Sequence, residues 1–196
     1  MIQTDDMPFK LATGLLIALF TATHGYYVLV RRGAGRVIVR HPWRERILVG
    51  LVMLAWLPIS LYVFSSWLDP HHLPLPDWLR WGGGGIFLLG DLGFWWAHHA
   101  LGRHWSPILE IRAEHRLVTG GPYRYVRHPM YASLFLVGIG LALLSANWIV
   151  AAAFLAPVAL LYLARVRAEE EMMLQQFGDA YRAYMARTGR LLPRWR

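Results

Sequence analysis

Five apolar runs dominate the chain, and their length limits what the chain can fold into. A helix that spans a bilayer needs about 20 mostly apolar residues, and the first three runs reach that length. The last two runs are shorter and meet at "SANW", which predicts a tight helical hairpin. The five runs are Phe9–Val30, Ile47–Trp67, Trp78–Leu101, Tyr131–Asn147 and Trp148–Ala164.

The composition supports a membrane protein. Of the 196 residues, 56% are hydrophobic and 16% are charged, whereas soluble domains carry about 25% charged residues. We therefore predict an all-α integral membrane protein with about five transmembrane helices. Its single membrane domain covers residues 1–196, with three spans in 1–101 and an irregular loop, the hairpin and a C-terminal helix in 102–196. Cysteine is absent, which excludes disulfides and thiolate metal sites.

The basic residues, nearly all of them arginine, flank the apolar runs. Residues 31–46 hold six arginines, residues 102–129 hold five, and the tail after the fifth run holds seven. By the positive-inside rule these segments are cytoplasmic, so we expect the N-terminus outside and the C-terminus inside. This placement indicates anionic lipid headgroups rather than nucleic acid as the partner. The arginine-rich, cysteine-free chain looks bacterial, which predicts the inner (cytoplasmic) membrane.

The tail after the fifth run is amphipathic. Met173, Phe177, Tyr181 and Tyr184 recur at spacings of three and four. This predicts a cytoplasmic helix that continues from the fifth span and bends back over the membrane surface. No GxGxxG or GxxxxGK[ST] motif is present, so the sequence indicates neither a Rossmann domain nor a phosphate-binding loop.

The third run contains two unusual features. Its four consecutive glycines, Gly82–Gly85, favour close packing against another membrane helix. Asp91 interrupts the apolar run, and a charge at that depth is costly. Asp91 is therefore either a functional or paired residue, or it lies close enough to the membrane surface to meet water, or to meet His98 or His99 across turns of the helix.

Histidines are concentrated near the predicted cytoplasmic face. Membrane di-iron enzymes also gather histidines there, in HxxxH and HxxHH boxes, but "HHALGRH" matches neither box. His98 and His99 are adjacent on a helix and diverge, so they are poor joint ligands. We predict no metal site. The histidines are His98, His99, His104, His115 and His128.

The stretch "GPYRYVRHPMY", from Gly121 to Tyr131, stands at the mouth of the fourth run. Its two prolines cannot continue a helix, and the glycines before Pro122 allow unusual backbone angles. We expect a fixed irregular loop that presents Tyr123, Arg127, His128 and Tyr131. Composition alone is also compatible with an interfacial anchor of arginine and tyrosine.

An acidic cluster just past the fifth run favours a functional site. Arg165 and Glu169 are four residues apart on one helical face, and Glu170 and Glu171 follow. Such a pair is commonly a weak surface ion pair. Three glutamates beside anionic lipid do not promote membrane attachment, however, so they indicate a cationic or polar ligand.

Three segments together resemble the isoprenylcysteine carboxyl methyltransferase family. They are "HRLVTGGPYRYVRHPMY", "RVRAEE" and "FGDAYRAY". The family pattern is H-x-L-V-T, G-x-Y-x-x-x-R-H-P-x-Y, a hairpin, R-x-x-x-E-E and F-G-x-x-Y-x-x-Y. The likeness runs in order over about the last half of the chain, whereas the first two spans match only as apolar helices.

The resemblance implies a membrane methyltransferase that uses S-adenosyl-L-methionine without a Rossmann domain. Its acceptor would be a lipid-like or prenylated molecule, methylated on a carboxyl oxygen. Arg165 would bind the acceptor and act with Glu169 in catalysis. The implied cofactor-binding residues are His115, Arg116, Leu117, Val118, Tyr123, His128, Pro129, Met130, Tyr131 and Glu169.

Three alternatives stay open on the sequence. Phospholipid N-methyltransferases share the "RHPxY" and "EE" elements. Sterol-reductase-type NADPH enzymes also carry Arg-His-Pro-x-Tyr, but usually with Asn where this chain has Met130, and they lack the "EE" and "FGxxYxxY" tail. A non-catalytic protein with a decayed pocket is the third, although all the motif residues are intact.

Overall fold

The structure, a computed structural model, describes residues 6–30, 42–102 and 117–194, and every regular element in these ranges is a helix. Short 3-10 turns lie at Asp69–His71 and Gly121–Arg124. The α-helices are α1 Met7–Val30, α2 Pro42–Leu54, α3 Trp56–Phe64, α4 Asp77–Leu101, α5 Pro129–Ser145, α6 Trp148–Phe177 and α7 Asp179–Arg187.

The second apolar run forms two helices rather than one. Ala55 separates α2 from α3, three residues before Pro58. Proline has no backbone N–H to donate to the carbonyl of Leu54, and its ring crowds that carbonyl. The helix therefore breaks one turn upstream of Pro58.

The fifth run continues well beyond the apolar residues. Helix α6 begins at Trp148, where the Asn147 side chain accepts hydrogen bonds from two free backbone N–H groups, and it ends only at Phe177. Gly178 has φ 51° and stops it, because this backbone angle favours glycine. The predicted single amphipathic helix is thus wrong in detail, since Tyr181 and Tyr184 belong to the separate helix α7, where both are buried.

Helices α4 and α5 pack backbone against backbone. A Cβ atom added at Gly83 would come within 2.5 Å of Leu143 Cβ and 2.7 Å of the Leu144 nitrogen. A Cβ atom added at Gly90 would likewise come within 2.6 Å of the Val137 nitrogen. The prediction that the glycine run supports close helix packing is confirmed at Gly83.

A buried ionic cluster, the end clamp, closes the end of the bundle at which α1 and α4 begin. Lys10, 1% exposed, donates to Asp69 and to the carbonyl of Ser65 at 2.9 Å. Arg80 donates to Asp6 at 2.6 Å. These two pairs tie α1 to the α3–α4 connection and to α4.

The outer surface of the helices is apolar, as a lipid-facing surface requires. Leu15, Leu89 and Leu163 are each more than 60% exposed. Two described segments combine the length and mean hydropathy of a spanning helix, Arg46–Phe64 at 2.3 and Trp148–Phe177 at 2.1. Helix α5 is apolar but shorter, so the five-span count remains a prediction.

Candidate active site

The loop that precedes α5 is held by the C-terminal tail. Residues Gly121–Arg124 form a 3-10 turn, after which the backbone pairs with the tail. The nitrogen of Arg127 donates to the carbonyl of Gly189 at 2.8 Å, and the nitrogen of His128 donates to that of Arg190 at 3.0 Å. These two bonds join chain segments about 60 residues apart and hold the backbone at Arg127 and His128.

Glu169 lies at the centre of the site and joins α6 to the start of α5. The Tyr131 hydroxyl donates to Glu169 Oε1 at 2.7 Å. His128 Nδ1 lies 3.3 Å from Glu169 Oε2. The structure thus brings together three of the residues predicted to bind the cofactor.

Glu170, next in sequence, is enclosed by cations. Arg127 Nε donates to its Oε1 at 3.0 Å, and Arg190 Nη2 donates to its Oε2 at 2.6 Å. His128 Nε2 lies 3.4 Å from Oε1. Arg127 also donates to the carbonyl of Thr188. The structure thus pairs Arg127, one of the residues that the loop was expected to present, with Glu170 and the tail.

The two glutamates therefore differ in what they can still bind. The Glu170 side chain is 6% exposed and its charge is compensated by two arginines. The Glu169 side chain is 25% exposed and contacts a phenol and a histidine. Glu169 can still accept hydrogen bonds and attract a positive charge, whereas the charge of Glu170 is already compensated.

The charge state of His128 follows from the same two carboxylates. Burial alone would lower the pKa of His128, but hydrogen bonding and attraction from Glu169 and Glu170 raise it above its ordinary value. Burial raises the pKa of Tyr123 well above its usual range and that of Tyr184 to about 12. The site thus contains a protonation-prone imidazole among neutral phenols.

An aromatic wall that sequence reasoning missed packs against Tyr131, the residue that donates to Glu169. Tyr162 packs edge-on against Tyr131, with ring centroids 5.3 Å apart, and against Phe135 at 6.0 Å. Its ring also lies 6.5 Å from His128. The available signal was helical spacing, because Tyr162 precedes Arg165 by three residues and Glu169 by seven.

The other predicted residues that the structure describes lie in the loop, at the start of α5 and on α6. Arg165 lies within hydrogen-bonding reach of the Tyr131 hydroxyl. Tyr123 is buried, and its carbonyl accepts a 2.6 Å hydrogen bond from Tyr184. The remaining ones are Leu117 and Val118, half-buried in the loop, Pro129, buried in the first turn of α5, Met130, packed against the core, and His115 and Arg116, which lie outside the described residues.

Two polar residues of α4, Asp91 and His98, are buried. Asp91 is 5% exposed, and its Oδ1 has no hydrogen-bond partner within residues 6–30, 42–102 and 117–194. His98 is buried, with Nδ1 3.0 Å from the carbonyl of Phe94 and its ring 4.6 Å from that of Tyr27. In the described part of the chain, no three His, Asp or Glu side chains cluster as metal ligands. His104 lies outside it.

Comparison with known proteins identifies the family. The profile of the isoprenylcysteine carboxyl methyltransferase (ICMT) family matches residues 84–175. Protein-S-isoprenylcysteine O-methyltransferase B of Arabidopsis thaliana is 31% identical, with 93% of each chain covered. The cobalt-zinc-cadmium resistance protein CzcN of Cupriavidus metallidurans is also 31% identical, over 71% of this chain and 62% of its own.

A solved structure shows the same fold. It is that of the eukaryotic intramembrane Ras methyltransferase ICMT, with a TM-score of 0.68 and 23% identity. The likeness covers 98% of this chain and 69% of that one.

The helical bundle, its apolar exterior and the matched relatives define an integral membrane methyltransferase. The chain belongs to the isoprenylcysteine carboxyl methyltransferase family. The sequence-based identification of the family is thereby confirmed.

Proposed function

We propose that this protein transfers a methyl group from S-adenosylmethionine to the carboxylate of an amphiphile that resides in the membrane. The observation that carries the proposal is the environment of Glu169, a partly exposed carboxylate held by Tyr131 and His128 beside an aromatic wall. Carboxylates and aromatic faces both attract cations. When bound, S-adenosylmethionine supplies an electrophilic methyl group on a positively charged sulfur, and these residues fit that charge.

The chain supplies binding and orientation rather than proton transfer. A carboxylate acceptor is already ionised near neutral pH, so no general base is required. Arg165 is the guanidinium that would orient it, because a planar fork can hold both carboxylate oxygens. Arg165 would hold the acceptor carboxylate against the methyl group that the donor supplies, so that the new C–O bond would form as the methyl–sulfur bond breaks and its electron pair would remain on sulfur. Alignment of the two reactants is the main contribution of the protein.

The arrangement of the helices suggests how the acceptor reaches the site. Arg165 and Glu169 lie on the half of α6 that follows its apolar part, so they sit at the edge of the predicted span. A lipid-like acceptor could keep its chain among the helices while its carboxylate reaches Arg165. We place this edge in the cytoplasm and the protein in a bacterial inner membrane, as the arginine distribution predicts.

Binding of S-adenosylhomocysteine to detergent-purified protein tests the cofactor assignment. We expect calorimetry to show saturable binding in the wild type and at least tenfold weaker binding in Glu169→Gln, since the ammonium group that S-adenosylhomocysteine keeps would lose its charged acceptor. Glu171→Gln is the matched control, because Glu171 is on the same helix but exposed. Absence of binding to the wild type would refute the assignment.

The acceptor class needs a separate experiment. Purified protein with labelled S-adenosylmethionine should methylate a farnesylated cysteine with a blocked amino group, and mild base should release the label as methanol. Label that resists base and resides in phospholipid amines would instead establish the N-methyltransferase alternative. An amine must lose a proton before it reacts, so that activity would also climb steeply with pH.

A further inference from the structure

Tyr162 contacts Tyr131 and His128, the two residues that also contact Glu169. It lies on α6, three residues before Arg165 and seven before Glu169. Residues at these spacings share one face of an α-helix. Tyr162 therefore shares one face of α6 with Arg165 and Glu169.

The ring of Tyr162 is held in place by its neighbours. Tyr131 meets it at an interplanar angle of 67° and Phe135 meets it at 81°, so both contacts are edge arrangements. His128 approaches at 78° from the loop. These three contacts restrict rotation of the half-buried ring, which lies against the two residues that hold Glu169.

A fixed aromatic face next to a carboxylate distinguishes ligands by charge. The quadrupole of the ring attracts a cation that lies over its face and has no such attraction for a neutral thioether. S-adenosylmethionine and S-adenosylhomocysteine differ by one methyl group and one positive charge. A ring in this position would therefore bind the donor more tightly than the product.

We propose that Tyr162 is a positioning residue that presents its ring to the sulfonium centre of the methyl donor and favours the donor over the demethylated product. This rests on the proposed function above, since it assumes that S-adenosylmethionine binds at Glu169. Loss of the positive charge on methyl transfer removes the attraction, so the same ring promotes exchange of product for fresh donor.

The test compares two dissociation constants in the absence of acceptor, one for S-adenosylmethionine and one for S-adenosylhomocysteine. Tyr162→Leu should weaken the binding of S-adenosylmethionine by roughly 3- to 30-fold. The dissociation constant for S-adenosylhomocysteine should stay within about twofold of the wild-type value. Tyr162→Phe should keep the wild-type ratio, because it keeps the ring. Phe64→Leu is the matched control, since this phenylalanine of α3 is 83% exposed, and it should leave both dissociation constants at their wild-type values.

The outcomes separate the two proposals. Wild-type protein that binds neither ligand would refute the proposed function. Wild-type protein that binds both, with Tyr162→Leu altering both constants equally or neither, would overturn the role of Tyr162 alone.

If Tyr162→Leu fails to fold, phenylalanines with one to three ring fluorines at position 162 keep the shape and weaken the quadrupole. The affinity ratio should then fall with each fluorine, and a constant ratio would overturn the proposal.

Discussion

Tyr131 and Glu169, 38 residues apart in sequence, are joined by a 2.7 Å hydrogen bond between the first turn of α5 and the polar half of α6. This bond places the acidic motif and the Arg-His-Pro-x-Tyr motif in one site. It also fixes the carboxylate that is proposed to meet the methyl donor.

Removal of the Tyr131 hydroxyl should weaken the site without unfolding the protein. Tyr131→Phe keeps the ring packing and deletes a hydrogen bond to a charged acceptor, which is typically worth about 1.5–3 kcal/mol. We expect S-adenosylhomocysteine to bind roughly tenfold more weakly, as measured by calorimetry. Tyr125→Phe, at an exposed loop tyrosine, should bind as wild type does. Unchanged binding in Tyr131→Phe would show that the bond does not orient Glu169.

Glu170 should matter mainly for stability. Glu170→Gln leaves Arg127 buried with its charge uncompensated, a change that costs about 3–5 kcal/mol in comparable buried pairs. We expect a marked fall in the unfolding temperature in detergent. Asp179→Asn breaks an exposed ion pair with Arg182 and should change stability by less than about 1 kcal/mol. Equal effects of the two substitutions would contradict the buried role.

Stability should depend on the protonation of His128. Its pKa in the folded protein is raised above the unfolded value of 6.5, so protonated His128 stabilises the fold fully below pH 6.5. That contribution is lost as the pH rises through the folded pKa. The unfolding temperature of the wild type should therefore decline above neutral pH.

His128→Asn isolates this dependence. The variant should be less stable than the wild type at pH 6. Its unfolding temperature should not show the part of the decline with pH that comes from the His128 imidazole. The phenol of Tyr184, with its pKa raised to about 12, stays neutral over this range. A decline of the same size in the variant would assign the pH dependence to other groups.

The end clamp should show strong coupling between its partners. Lys10→Met or Asp69→Asn alone leaves one buried charge unpaired, whereas the double variant removes both charges. We expect each single variant to lose about 3 kcal/mol and the double variant to lose clearly less than their sum. Additive losses in unfolding measurements would mean that the pair is not coupled.

The glycine run offers a matched pair of substitutions. Gly83→Ala forces a Cβ against the backbone of Leu144, while Gly82 has no atom within 4 Å of an added Cβ. We expect Gly83→Ala to destabilise the bundle. Gly82→Ala should be neutral or stabilising by up to about 1 kcal/mol, because alanine favours the helix. Thermal unfolding of the two variants measures the contrast, and equal stability would contradict the close α4–α5 contact.

Much of the helical framework could be predicted from apolar periodicity and length. The bounds of α4 and the start of α6 at Trp148 agree with the predicted runs within a residue. The break at Ala55 was missed, although Pro58 carries the signal for it. The end of α6 was also missed. The apolar spacing from Met173 to Tyr184 continues across Gly178, which is where the helix ends.

The candidate site could be predicted only as far as the motifs reach. The meeting of Tyr131, His128 and Glu169 was expected from the resemblance, and the geometry brings them together. The pairing of Arg190 with Glu170 depends on how the tail folds back on the loop, which no local pattern reveals. The roles assigned to individual residues remain predictions for the binding experiments.

The length of helix α6 determines how far Arg165 and Glu169 lie from Trp148. At 1.5 Å per residue, Arg165 stands about 26 Å and Glu169 about 32 Å along the axis from Trp148, close to the thickness of about 30 Å of a hydrocarbon core. In a bilayer of matched thickness the helix carries both side chains to the height of the lipid headgroups. The length of this one helix would thus set the depth of the proposed reaction, and a thicker or thinner membrane would shift it.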